Sequence, residues 1–272
     1  MNYVKKNKIK IFNDNFQNFK SYNIPAKAQL VIADIPYNIG NNAYGSNPSW
    51  YVGGDNKNGE SKLAGTSFFR TDNNFNIAEY FHFCSKLLKK EPKERNAAPA
   101  MIVFCAWQQI PLVQQYGKKH GFNNSYPIFF IKKSSTQALK ANMKIVGATE
   151  TAMVLYRDKL PKFRNEWHLQ ATGKKMINNW FWWENDNRRI YPKVHPTQKP
   201  VGLLKQLIQT FTDEGDIVID PVAGSGSTLR ACAELNRTCY GFEVDKGFYK
   251  KALEFIKIPD DGQTNLFEGA GA

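Results

Sequence analysis

The chain contains few cysteines and no long apolar run. Its 272 residues include four cysteines and four histidines. No C-x-x-C pair and no metal-ligand spacing of histidines occurs, which argues against zinc and favours buried, reduced thiols. No stretch reaches the ~18 apolar residues of a membrane span, and no apolar segment of a signal peptide follows the basic N-terminus. These features predict a cytoplasmic protein without a membrane segment or a metal site.

Acidic residues are scarce relative to basic ones. There are 37 Lys and Arg against 24 Asp and Glu, a formal net charge of +13. Such an excess favours a polyanionic partner, most commonly nucleic acid, although a basic surface can also serve solubility alone. Hydrophobic residues make up 42% and aromatic residues 14% of the chain, which predicts a packed globular core.

Seven short apolar segments alternate with helical patterns. The predicted strands are 8–12, 29–33, 101–106, 128–131, 151–156, 216–219 and 238–242. The predicted helices are 78–90, 108–120, 200–212, 227–235 and 246–256. Continuous apolarity indicates strands that are buried on both faces, as in a parallel sheet covered by helices. The pattern predicts a doubly wound α/β domain with a mostly parallel, seven-stranded sheet.

Two internal segments and the tail do not fit the alternation. Residues 40–76 are rich in Gly, Asn, Ser and Lys, and their length predicts a functional, mobile loop. Residues 158–194 mix basic and aromatic side chains, and we expect at least two of the four aromatics at 180–183 to lie in the core. Residues 258–272 are expected to form a flexible tail.

A glycine-rich turn, D-P-V-A-G-S-G-S-T at 220–228, follows a predicted strand and opens a helix. Ligands of open α/β sheets bind at such carboxyl strand ends. Glu243 ends the next predicted strand, at the spacing expected of an acid that binds a ribose diol. The third glycine of a dinucleotide-binding motif and the lysine of a Walker P-loop are both absent from the turn. The turn therefore indicates a nucleoside ligand without pyrophosphate, such as S-adenosylmethionine. The alternative is a tight turn with a serine helix cap.

The segment D-I-P-Y at 34–37 ends another predicted strand and should face the same crevice. The amino group of adenine is a poor nucleophile because its lone pair is delocalised into the ring. Hydrogen bonds to the Asp34 carboxylate and the Ile35 carbonyl would free that lone pair to attack a sulfonium methyl group. Tyr37 would stack on a base that has left the duplex. The alternative is an ordinary strand exit, ended by Pro36.

Together with H-P-T-Q-K-P at 195–200, these motifs resemble those of the β-class amino-methylating DNA methyltransferases, in which D-P-P-Y precedes F-x-G-S-G-T. The likeness spans about residues 8–256 and is closest to small enzymes of phages and prophages of Gram-positive bacteria. It implies a circularly permuted methyltransferase fold that uses S-adenosylmethionine on DNA adenine. The chain departs from the family pattern at two places. Ile35 replaces the first proline of D-P-P-Y, and Val222 and Ala223 stand where F-x-G-S-G-T usually has an aromatic residue.

The resemblance also implies roles for individual residues. The flipped adenine would be held by Asp34, Ile35, Pro36 and Tyr37. The cofactor would be contacted by Asp14, Asp34, Thr197, Lys199, Asp220, Pro221, Gly224, Gly226 and Glu243. Thr197 and Lys199 would lie near the methionine carboxylate. Asp14 would lie near the cofactor adenine, although it could equally cap the next helix. His195 is expected to be structural.

The family places target recognition between its catalytic and cofactor halves. This implies a catalytic half at 1–157, a small recognition insertion at 158–194, a cofactor half at 195–257 and the tail. The predicted DNA contacts are Lys174, Lys175, Arg188, Arg189, Trp50 and Tyr51. Basic side chains would bind phosphates, and the 40–76 loop would close over the flipped base.

Several alternatives stay open. Enzymes that methylate the cytosine amino group usually carry Ser where Asp34 stands, and protein glutamine methyltransferases usually carry Asn. An inactive DNA-binding homologue is a third possibility. In the tail, Q-T-N-L-F at 263–267 resembles the peptide by which bacterial replication proteins dock on the sliding clamp, with a frayed terminus as the alternative. A homodimer and a restriction partner are also left open.

Overall fold

The computed structural model describes residues 8–25, 27–37, 75–133, 138–140 and 145–257. Two groups of predictions lie outside these residues. One is most of the 40–76 loop, with Trp50 and Tyr51, and the other is the clamp-like peptide at 263–267. Asn76, at the end of that loop, caps the first helix, because its side chain accepts hydrogen bonds from the amides of Ala78 and Glu79.

Strands and helices alternate along the described chain. The strands are β1 (Ile9–Phe12), β2 (Leu30–Asp34), β3 (Ala100–Cys105), β4 (Asn124–Lys132), β5 (Ala138–Lys140), β6 (Ile145–Val146), β7 (Thr149–Tyr156), β8 (Trp180–Trp183), β9 (Ile217–Asp220) and β10 (Thr238–Phe242). The α-helices are α1 (Ile77–Leu87), α2 (Ile110–Lys119), α3 (Glu166–Thr172), α4 (Val201–Phe211), α5 (Ser227–Glu234) and α6 (Lys246–Ile256). Short 3-10 helices span Phe16–Tyr22 and Trp107–Gln109. All the predicted strands and helices have counterparts here, and no helix of the described part is long and apolar enough to cross a membrane.

The main sheet has the strand order β1-β10-β9-β2-β3-β7-β4-β8, while β5 and β6 form a separate pair. Strand β7 runs antiparallel to its neighbours β3 and β4, and the other strands of the main sheet run parallel. The prediction of a mostly parallel α/β sheet is therefore confirmed. The described sheet has 8 strands rather than seven.

Helices cover both faces of this sheet. On one face, Leu207 of α4, Leu229 of α5 and Phe255 of α6 pack into a buried cluster with alternate strand residues. On the other face, Phe81 of α1 and Val113 of α2 do the same. Each such side chain contributes about 1.5–3 kcal/mol by leaving water. The four cysteines are free and buried, as predicted.

The extra strand, β8, comes from the segment predicted to be a recognition insertion. It pairs in parallel with β4, and its aromatic side chains alternate between two environments. Phe181 is buried and Trp183 packs against the core, whereas Trp180 and Trp182 are 39% and 51% exposed. Four successive aromatic residues show no apolar–polar alternation in the sequence. The strand therefore could not be recognised from the sequence, and of the at least two core aromatics expected, one is buried and a second packs half-buried against the core.

Candidate active site

Three acidic side chains meet at one edge of the sheet. Asp34 ends β2, Asp220 ends β9 and Glu243 directly follows β10. These strands are parallel neighbours, so their carboxyl ends lie side by side. The D-I-P-Y segment and the glycine turn therefore border the same crevice, at the place where α/β sheets bind ligands.

The glycine turn needs glycine for steric reasons. Gly224 and Gly226 have φ angles of +51° and +79°, in the left-handed region that other residues avoid. A Cβ built on Gly226 would lie 2.8 Å from Cδ1 of Ile256 in α6. A Cβ on Gly224 would lie 3.6 Å from the ring of His195. The turn thus packs against Ile256 and His195, and the amides of Val222, Ala223, Gly224 and Gly226 donate hydrogen bonds within the protein.

Two carboxyl groups, the buried Asp220 and the half-buried Glu243, shape this turn. Asp220 accepts a hydrogen bond from the amide of Val222 at 3.1 Å and one from the side chain of Thr228. Glu243 accepts one from the amide of Gly224 at 2.8 Å and one from the amide of Asp245 at 2.7 Å. Burial outweighs these hydrogen bonds and raises the pKa of each carboxyl group to about 7. Pro221, between them in the turn, is also buried.

The D-I-P-Y backbone is held at two points. The Ile35 amide donates to the carbonyl of Phe104 at 3.2 Å, and the Pro36 carbonyl accepts from Gln109 at 2.9 Å. The Ile35 side chain is buried in the core. Proline at this position has no backbone N–H and could not donate this hydrogen bond. Ile35 therefore replaces the rigidity of a proline ring with a hydrogen bond and apolar packing.

The two oxygens of Asp34 have different surroundings. Oδ2 lies 2.6 Å from the Lys199 ammonium. Oδ1 is buried and has no hydrogen-bond partner among the described residues. Burial raises the pKa of Asp34, and the positive charge of Lys199 opposes that shift. Lys199 therefore lies on the D-I-P-Y side of the crevice, where its ammonium group is engaged by protein carboxylates.

Glu150 and Lys132 complete a largely enclosed ionic network that sequence reasoning missed. Glu150 lies 3.1 Å from Lys199 and 2.5 Å from Lys132, and the Tyr37 hydroxyl donates to it at 3.3 Å. Burial raises the pKa of Glu150, but the two lysines outweigh that effect and lower it below its usual range. The one sequence signal was a carboxylate between Thr149 and Thr151, just before the apolar part of β7.

His195 and Thr197 lie behind the glycine turn. The Nδ1 atom of His195 accepts a hydrogen bond from the Thr197 amide at 3.3 Å, and its ring packs against Phe248 with 4.2 Å between ring centroids. Burial and nearby Lys199 lower the pKa of His195 to about 4. A neutral imidazole that contacts Gly224 supports the turn sterically, in line with a structural role.

Asp14 follows β1 and is held by its own loop. Its carboxylate accepts hydrogen bonds from Tyr22 at 2.6 Å, Asn18 at 2.9 Å and the amide of Asn15 at 2.7 Å. Burial raises its pKa, but these bonds outweigh it and lower the pKa. The helix cap is Asn15, whose side chain accepts from the amide of Gln17. The side chain of neighbouring Asn13 donates a hydrogen bond to the Glu243 carbonyl at 2.9 Å. Asp14 thus lies near Glu243, at the carboxyl ends of the parallel strands.

The basic residues of the 158–194 segment divide into two groups. Lys174, Lys175, Arg188 and Arg189 are exposed. Lys162 and Arg164 are paired instead with acidic residues near β9: Lys162 lies 2.8 Å from Asp213, and Arg164 lies 2.7 Å from it. Lys162 is also buried, so this part of the segment anchors the fold and is not available to a polyanion.

Comparison with known proteins gives consistent matches. The DNA methylase family (N6_N4_Mtase) matches residues 28–254. The chain is 26% identical to the DNA adenine methyltransferase YhdJ of Escherichia coli K12, over 86% of this chain and 78% of that protein. It is 25% identical to the type II methyltransferase M2.DpnII of Streptococcus pneumoniae, over 97% and 94%. Its 43% identity to M.HpaI of Haemophilus parainfluenzae covers only 31% of this chain and 26% of that protein.

Solved structures share the fold. The complex of M1.HpyAVI with S-adenosylmethionine superposes with a TM-score of 0.64 at 20% identity, over 92% of this chain and 99% of that one. The cytosine-N4-specific PvuII DNA methyltransferase gives a TM-score of 0.67 at 14% identity, over 96% and 92%. At such identities the likeness concerns the fold alone.

Substitution of Gly226 by alanine should destabilise the protein. The positive φ and the 2.8 Å approach to Ile256 would force the turn or α6 to move, at a cost of about 1–3 kcal/mol in the free energy of unfolding. Urea unfolding measures this difference. Gly202→Ala is the control, because its Cβ would contact nothing within 4 Å, and its stability should stay within about 0.5 kcal/mol of wild type. Equal stabilities of the two variants would contradict the steric argument.

Proposed function

The chain belongs to the DNA methylase family, and from that premise we propose that it transfers a methyl group from S-adenosylmethionine to the exocyclic amino group of adenine in DNA. The buried Oδ1 of Asp34, which has no hydrogen-bond partner within the described part of the chain, carries this proposal. A buried acceptor without a donor costs about 1–3 kcal/mol. It is expected where a ligand supplies the missing donor, and the amino group of a base is such a donor.

The base must leave the duplex to reach this crevice. Oδ1 of Asp34 then accepts a hydrogen bond from one N–H of the amine, and the Ile35 carbonyl accepts a hydrogen bond from the other. Two acceptors draw the nitrogen towards tetrahedral geometry, so its lone pair becomes available for bond formation. Tyr37 stacks against the base, and Pro36 holds the segment extended. The Asp34 carboxylate is also placed to take the proton that the nitrogen loses. Catalysis on this scheme is positioning and electrostatics.

The glycine turn is the proposed site of S-adenosylmethionine, because it directly follows β9 at the carboxyl end of the parallel strands, where open α/β sheets bind ligands, and contacts the Glu243 carboxyl group. When bound, the cofactor supplies an electrophilic methyl group on a sulfonium cation. Glu243 would accept hydrogen bonds from the ribose hydroxyls. Asp220, Pro221, Gly224, Thr197 and Asp14 are the further proposed contacts. Lys199, engaged by Asp34 and Glu150, is assigned to the base side.

Adenine is proposed over cytosine for two reasons. A carboxylate at position 34 is a stronger acceptor for an amine than the serine usual in cytosine-N4 enzymes. YhdJ, a relative over most of the chain, is by name an adenine methyltransferase. The type II relatives make a restriction partner a reasonable proposal, and the similarity to phage enzymes remains a prediction from the motifs.

Alanine at position 34 should abolish turnover and leave cofactor binding intact. Without the carboxylate, the amine loses the acceptor that activates it, and we expect a loss of at least about 10²-fold in the rate of methyl transfer. Labelled methyl transfer to duplexes with and without adenine measures this, and calorimetry measures cofactor affinity. Transfer to the adenine-free duplex would favour the cytosine alternative. Full turnover by Asp34→Ala would remove Asp34 from the mechanism.

Cofactor affinity should rise with pH between about 6 and 7.5. Asp220 and Glu243 have pKa values raised to about 7, so both are partly protonated at neutral pH. A bound cation favours their ionised forms, which lowers their pKa values and releases protons. Affinity is therefore strengthened above the free-state pKa and lost as pH falls below it. Calorimetry in two buffers of different ionisation enthalpy measures the number of protons released when the cofactor binds. S-adenosylhomocysteine, without the sulfonium charge, should show a smaller effect, and equal, pH-independent affinities would contradict the linkage.

The DNA surface is proposed to include the exposed Lys174, Lys175, Arg188 and Arg189, together with Trp50 and Tyr51. Exposed lysine and arginine side chains bind phosphates and release counterions. Docking on a sliding clamp through 263–267 and dimerisation remain separate proposals from the sequence.

The double substitution Arg188→Ala and Arg189→Ala should weaken DNA binding and its salt dependence. Each lost phosphate contact lowers the slope of log K against log salt by about 0.9. Fluorescence anisotropy over a salt series measures that slope. Lys118→Ala with Lys119→Ala removes the same charge from the C-terminal end of α2, which runs away from the carboxyl edge. The control should keep the wild-type slope, and equal effects of both pairs would argue for a non-specific charge effect.

A further inference from the structure

We propose that Lys199 is a positioning residue for Asp34. Its ammonium group donates a hydrogen bond to Oδ2, leaves Oδ1 to accept a hydrogen bond from the amino group of the base, and keeps the carboxylate ionised before the base arrives. This inference deepens the proposed function and rests on it, since it concerns the same acceptor. It differs from the sequence expectation, in which Lys199 contacts the cofactor.

The contact between Lys199 and Asp34 is close and enclosed. The ammonium nitrogen lies 2.6 Å from Oδ2, and the Lys199 side chain is 8% exposed. Three aromatic rings surround it, with centroids at 5.6 Å for Tyr37, 5.3 Å for Phe104 and 5.6 Å for Trp183. Their faces favour a cation and exclude water. The ammonium group is therefore enclosed by these rings and held against the carboxylate.

Glu150 fixes the ammonium group from the other side. It lies 3.1 Å from Lys199 and is itself held by Lys132 at 2.5 Å. Positive and negative groups alternate from Lys132 through Glu150 and Lys199 to Asp34, so the buried network has no net charge. Breaking such a network on one side leaves an uncompensated buried charge, which is costly. The network therefore maintains a single orientation of the Lys199 side chain and, through it, of Asp34.

The ionisation of Asp34 depends on this lysine. The groups that face it are Lys199, Glu150 on β7, Lys132 on β4, Tyr37 in its own segment and Cys105 on β3, with Asp220 on β9 further along the edge. Among the described groups that face Asp34, the two lysines favour the carboxylate, and Lys199 is the one in contact. A protonated Asp34 would offer a donor where the amine needs an acceptor. Removal of Lys199 should therefore raise the pKa of Asp34. The low-pH side of the pH–rate profile of methyl transfer should then shift to higher pH.

Carbon-13 NMR of the Asp34 carboxyl group tests this directly. Protein labelled with [¹³C]aspartate is titrated, and the Asp34 signal is identified by its absence in Asp34→Asn. In Lys199→Met the midpoint should rise by about 1–3 pH units, the range for loss of an adjacent opposite charge. Lys162→Met is a matched control, because Lys162 is also buried and bridges two carboxylates, Asp213 at 2.8 Å and Asp216 at 2.5 Å. It should leave the midpoint unchanged.

A second variant keeps the test decisive if Lys199→Met does not fold. In Glu150→Gln, the carboxylate that competes for Lys199 is lost, so the midpoint of Asp34 should fall. Shifts of opposite sign in the two variants support the proposal, and if Lys199→Met does not fold, the fall in Glu150→Gln supports it. An unchanged midpoint in Lys199→Met, or an unchanged or higher one in Glu150→Gln, would overturn it.

The same variants in methyl transfer separate this inference from the proposed function. If the wild type methylates adenine, the acid limb of kcat should move to higher pH in Lys199→Met and stay in place in Lys162→Met. If the acid limb of the kcat–pH profile did not move in Lys199→Met, the positioning role would be overturned while the methyltransferase proposal stands. If the wild type methylates no DNA, the proposed function fails, and the NMR midpoints still decide whether Lys199 controls Asp34.

Discussion

The pairing of β2 with β9 is the constraint on which the site depends. Leu30 and Val31 pair with Val218 and Ile219, so the strand that ends in Asp34 lies beside the strand that ends in the glycine turn. Gln29 reinforces this at the base of the sheet, where its amide donates to Ile217 at 2.8 Å and its side chain donates to Ala98 at 2.7 Å. Distant parts of the chain thereby form one crevice, as parallel strands with crossover helices allow.

The segment 195–200 couples the two sides of that crevice. His195 packs behind Gly224 on the glycine-turn side, and Lys199 reaches Asp34 across a separation of 165 residues in the chain. Both side chains precede α4, whose apolar face is buried in the core. A displacement of this segment would therefore disturb both halves at once, which explains why a short polar loop matters to the geometry of the whole site.

The sequence predicted the sheet and the two motifs but not the ionic network between them. Continuous apolar runs indicate buried strands, and the acids and glycines at strand ends indicate where ligands bind. Glu150 and Lys132 could not be assigned, because their proximity to Lys199 depends on the antiparallel pairing of β7 with β4. The basic composition of residues 158–194 likewise did not distinguish the exposed lysines from Lys162, which is buried against Asp213. Contacts between distant segments leave no periodic trace in the chain.

The two sides of the crevice balance charge differently, and this difference matches the ligands proposed for them. On the D-I-P-Y side, Asp34 and Glu150 are neutralised by Lys199 and Lys132, so a neutral base can enter without leaving an uncompensated charge. On the glycine-turn side, Asp220 and Glu243 form no ion pair with a lysine or arginine among the described residues, and burial raises their pKa values to about 7. A buried acid without a protein cation is stabilised by a cationic ligand. The distribution of lysines alone thus favours a positively charged cofactor on one side and an uncharged substrate on the other.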